Sequence, residues 1–136
     1  MSAAGRVLRS AAAYFAVVFC AGFILGIIRT LWLAPRVGAT LAVAVELPIL
    51  LAVSIIVADR LMRRFAVRGR REPLFMGGCA FVLLMLAEFT FAAGLAGTSP
   101  ATYAASMATP AGALGLFGQI LFALIPTALA TRAARQ

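Results

Sequence analysis

The chain has 136 residues, 64% of them hydrophobic and 12% charged, with a mean hydropathy of +1.06 and a formal net charge of +8. Soluble domains are about half apolar and a quarter charged, so this composition excludes one and points to lipid as the solvent. The twelve cations are all arginine and histidine is absent, which removes the commonest general base, the usual metal ligand and Schiff-base chemistry.

Arg6 and Arg9 precede an apolar stretch longer than the roughly 7–15 residues of a cleaved signal core, so an uncleaved first helix is predicted over residues 10–33. Pro35-Arg36-Val37-Gly38 closes it, because proline removes a backbone donor and glycine permits reversal. The second helix is expected over residues 39–58. Residues 59–72 then change character, with Arg60, Arg63, Arg64, Arg68, Arg70 and Arg71 in one short connection. Glu72-Pro73 opens a third helix over residues 74–96, an acid and a proline both suiting a first turn. Residues 97–109 carry no charge. Within them Ser99-Pro100 and Thr109-Pro110 read as cap-plus-proline starts, giving a short surface helix over residues 100–107 and a fourth long helix over residues 110–131.

At about 20 residues per crossing, the chain holds four spans and no separate soluble domain. Residues 1–136 are therefore one transmembrane domain, an all-α polytopic protein with four transmembrane helices in an up-down bundle. Arginines lie before the first helix, between the second and third, and after the fourth, which makes both termini and the basic loop cytoplasmic. Their placement beside apolar runs suits anionic lipid headgroups and not nucleic acid. Cys20 and Cys79 fall inside spans and read as small hydrophobes.

Three ionisable residues interrupt the spans: Arg29, Glu46 and Glu88. A rise of ~1.5 Å per residue places both glutamates about 12 Å below the outer boundary, with Arg29 about a turn nearer the outside. An intramembrane charge costs roughly 2.5–3.5 kcal/mol, so pairing of Arg29 with Glu46 across the short turn is expected. The second carboxyl is then left as a candidate proton or cation site, unless Arg36 reaches down to complete a neutral two-by-two cluster. Gln119 is expected to hydrogen-bond across helices. Gly22, Gly26, Gly115 and Gly118 read as close-packing positions, and Pro48 frees the Ala44 carbonyl for a polar partner. Trp32 and Tyr103 sit where interfacial aromatic anchors belong. Neither a nucleophile–base pair nor a metal-ligand spacing is present, so no catalytic residue, metal or cofactor is assigned.

The stretch from Gly22 to Arg64, with its GF-x-LG-x-x-R, PR-x-G and E-x-P elements, resembles a group of small uncharacterised bacterial inner-membrane proteins. It covers about a third of the chain and implies a bacterial inner-membrane source and a shared fold, with no activity attached. The small multidrug resistance exporters are similar in size, helix number and possession of a buried glutamate. They carry that glutamate on the first helix, where this chain has Arg29. The favoured expectation is a non-enzymatic bundle or accessory subunit whose Arg/Glu cluster fixes helix packing, in a homo-oligomer or larger membrane complex. The alternative is a small proton-coupled transporter or channel using Glu88 or Glu46 as its protonatable site.

Overall fold

The structure, a computed structural model, describes residues 1–136 and contains helices and no strands. Four helices are long and apolar enough to cross a membrane: α1 (Ala3–Val37), α2 (Ala39–Arg64), α3 (Arg71–Ala96) and α5 (Pro110–Ala134). A short α4 (Pro100–Ser106) joins α3 to α5. Four such helices suggest a multi-pass membrane protein.

Helix α1 departs from expectation at both ends. It begins at Ala3, where the Ser2 hydroxyl caps it by accepting the Gly5 N–H at 3.1 Å. It also runs past Pro35, because Arg29–Leu33 widen into a π-helical turn in which the Ala34 N–H bonds back to the Arg29 carbonyl. Helix then resumes over Ala34–Val37, and Pro35 lies in its first turn, where a missing N–H is least costly. Gly38, at φ +88°, stops the helix and by itself reverses the chain into α2.

The basic segment is less of a loop than its arginines imply. No proline or glycine lies between Ala58 and Arg64, so α2 continues to Arg64, with Asp59 and Arg63 paired at 3.1 Å on successive turns. Only residues 65–70 connect α2 to α3. Glu72 fastens this connection: one carboxylate oxygen accepts the Arg68 N–H at 2.8 Å and the other sits 3.5 Å from the Arg6 guanidinium. At the far end of α3, Gly97 adopts the left-handed conformation as a C-cap. Ser99 and Thr109 cap α4 and α5 through their hydroxyls, as the cap-plus-proline pattern predicts. α5 runs on to Ala134.

Around the bundle the order is α1, α2, α5, α3: α1 and α5 each pack against both α2 and α3. Consecutive helices α2 and α3 therefore stand on a diagonal, and the connection between them crosses the end of the bundle. Val67, 5% exposed, inserts from that connection into the core. Val7, Ala11, Tyr14 and Val18 from α1, spaced three or four apart, meet Ala58, Met76, Ala80, Leu84, Phe122 and Ile125 there. Most of these lie toward the basic end, while Val18, Leu84 and Phe122 sit at mid-height and also border a cavity.

Candidate functional site

The other half of the bundle carries a half-open cavity of about 570 Å³ lined by all four long helices. Its walls contain Arg29 from α1, Glu46 from α2, Glu88 from α3 and Gln119 from α5. Phe19, Phe23, Phe91 and Phe122 supply most of the aromatic surface.

The cavity exists because several small residues leave it empty. A Cβ at Gly22 would meet only Leu50 methyls at 3.6 Å, and one at Gly115 would meet nothing within 4 Å. Gly22, Gly26 and Gly115 therefore do not bring backbones together as the GxxxG spacing implies; they hollow the wall. Gly118 behaves as expected, since a Cβ there would overlap Leu47. The tightest helix approach lies elsewhere, at Gly77, where a Cβ would overlap the Ala123 carbonyl oxygen. Pro48 is exposed on α2 and lies outside the cavity lining.

Arg29 and Glu46 meet across the turn at Gly38. Arg29 Nε lies 3.1 Å from Glu46 Oε2, with side chains 33% and 13% exposed. The N–H is not aligned with that oxygen, so the contact is an ion pair and not a directed hydrogen bond.

Glu88 is held differently. One of its carboxylate oxygens accepts from Gln119 Nε2 at 2.6 Å and from the Tyr103 hydroxyl at 3.3 Å. Both donors are neutral. Tyr103 comes from α4 and turns inward to reach Glu88, its ring edge-on to Phe89 with centroids 5.6 Å apart, so it is not the outward-facing anchor its position in the sequence implies. Burial and the adjacent Glu88 push the Tyr103 hydroxyl up to about 12, which keeps it a donor across the physiological range.

Arg36 does not join the cluster. Because α1 continues to Val37, Arg36 sits one turn after Trp32; its Nη1 donates to the Trp32 carbonyl at 2.6 Å and its guanidinium lies over the indole, 4.8 Å from the ring centroid. Trp32 itself is exposed. Ser54, at the inner side of the cavity, spends its hydroxyl on the Leu50 carbonyl at 2.8 Å.

The site thus holds one cation against two carboxyls, and it joins Arg29, Glu46, Glu88 and Gln119 while leaving out Arg36 and Pro48. Sequence reasoning did not find Tyr14, whose hydroxyl donates to the Phe122 carbonyl at 2.8 Å and whose ring stacks on Phe122 at 4.3 Å. The signal was available: Pro126, four residues on, cannot donate to that carbonyl. No protein family, curated protein or solved structure gives a match to this chain.

Proposed function

We propose that the chain is a multi-pass protein of the bacterial inner membrane that carries small lipophilic cations through its cavity in exchange for protons at Glu88. Ten of the twelve arginines lie at one end of the bundle, which supports a cytoplasmic location for both termini and the 65–70 connection. The cavity then sits in the outer half of the bilayer.

The observation that carries this reading is the pairing of Glu88 with neutral donors only, in the wall of a cavity lined chiefly by apolar side chains. Arg29 and Glu46 balance each other, so an ionised Glu88 leaves one negative charge without a counter-ion. Such a charge in a desolvated site is costly and is relieved either by a proton or by a cation. The phenylalanine faces around it favour an organic cation with an apolar body over a hydrated metal ion. Proton and cation exclude one another at the same carboxyl, which is the requirement for exchange. Gln119 and Tyr103 fix the carboxylate in place for either occupant.

A cluster whose task was helix packing belongs in a close-packed region. Here most of the buried core lies toward the opposite end, and the charged side chains border the cavity. The test is uptake of tetraphenylphosphonium into proteoliposomes under an imposed pH gradient. Uptake that reverses with the gradient and is lost in Glu88→Gln supports the reading; uptake equal to that of protein-free vesicles contradicts it.

A further inference from the structure

At the basic end a second concavity runs between the last turn of α2, the 65–70 connection and the last turns of α5, with a volume of about 820 Å³. Its floor is apolar, formed by Met62, Val67, Leu129 and Ala130. Arg63, Arg68, Arg70 and Arg135 stand around it with Asp59. Asp59 is already engaged by Arg63, at 3.1 and 3.2 Å to its two oxygens. The other three guanidiniums form no ion pair within the chain.

Three uncompensated guanidiniums over an apolar floor, where transmembrane helices end, complement a group that is anionic at one end and apolar at the other. We infer that this groove binds the headgroup and upper acyl chains of an anionic phospholipid. The phosphodiester offers oxygens that match planar guanidinium forks, and basic pockets between spans at the cytoplasmic side suit such headgroups. The inference is narrower than general attraction between a basic surface and a membrane. Arg60, Arg64 and Arg71 are as close in sequence and are exposed, yet line no part of the groove. Arg135, far away in sequence, does line it. The diagonal crossing of the 65–70 connection brings Arg68 and Arg70 to the end of α5, so the site is a product of the fold.

The experiment measures the apparent unfolding temperature of the delipidated full-length protein in neutral detergent, titrated with phosphatidylglycerol, phosphatidylcholine or inorganic phosphate. Phosphatidylglycerol is expected to raise it by about 4 °C at saturation, with no shift from the other two. The triple variant Arg68→Gln/Arg70→Gln/Arg135→Gln is expected to lose the shift. Arg60→Gln/Arg64→Gln/Arg71→Gln, which removes the same charge, is expected to keep it. Should the first triple fail to fold, Arg135→Gln alone, at the exposed end of α5, is expected to halve the shift. Equal loss in the two triples, a full shift in Arg135→Gln, or an equal response to phosphatidylcholine or to phosphate overturns the inference.

Discussion

The Tyr14 hydroxyl donates to the Phe122 carbonyl at 2.8 Å, and that carbonyl is the one Pro126 leaves without its helical donor. A residue of α1 thereby repairs a defect in α5 across the diagonal of the bundle, and its ring stacks on Phe122 while doing so. Tyr14→Phe keeps the stacking and removes only the donor. It is expected to cost about 1–2 kcal/mol in reversible detergent unfolding. In a Pro126→Ala background, where the substituted residue supplies a backbone N–H to the same carbonyl, that cost should fall to near zero; an unchanged cost would mean the hydroxyl is not answering the proline.

The glycines divide by what a methyl group would meet. Gly77→Ala drives a Cβ into the Ala123 carbonyl and is expected to destabilise by about 1–3 kcal/mol. Gly115→Ala enters open space and replaces a poor helix former, so stability should hold or rise by up to about 1 kcal/mol. Unfolding measurements on the two variants check the contrast. If both lose stability equally, the hollow beside Gly115 is filled in solution.

The ion pair between α1 and α2 is expected to matter through the charge left behind when one partner goes. Arg29→Met strands Glu46, and Glu46→Leu strands Arg29, each at about 2.5–3.5 kcal/mol. The double replacement should recover most of that loss. Additive losses would show that each residue contributes alone and that pairing is irrelevant.

Tyr103 ties α4 to the cavity carboxyl. Tyr103→Phe removes one of two neutral donors to Glu88 and should weaken tetraphenylphosphonium binding by roughly tenfold, the equivalent of about 1.4 kcal/mol, with little effect on unfolding. Binding unchanged in this variant would make the contact incidental.

Much of the architecture is legible in the residues. Apolar run lengths set the four long helices, and Ser99-Pro100 and Thr109-Pro110 mark the last two helix starts because caps and prolines act locally. Arg29 and Glu46 meet because a one-residue turn leaves them few other neighbours. What the sequence hides is non-local. The order of helices around the bundle depends on which faces pack, so the diagonal placement of α2 and α3 and the inward turn of Tyr103 have no local signature. The π turn after Ile28 defeats the reading of Pro35 as a stop, because one extra residue in the turn places proline where its missing donor is tolerated. The GxxxG spacing misleads for a related reason: small residues permit approach but do not compel it, and no backbone comes near Gly22, only the Leu50 methyls.

Proton release on cation binding tests the account most directly. Titrating the detergent-solubilised protein with tetraphenylphosphonium in buffers of different ionisation enthalpy gives the protons displaced per cation bound. Competition at Glu88 predicts a release that diminishes as pH rises and disappears, together with tight binding, in Glu88→Gln. Binding without proton release, or the same release from Glu88→Gln, would contradict it.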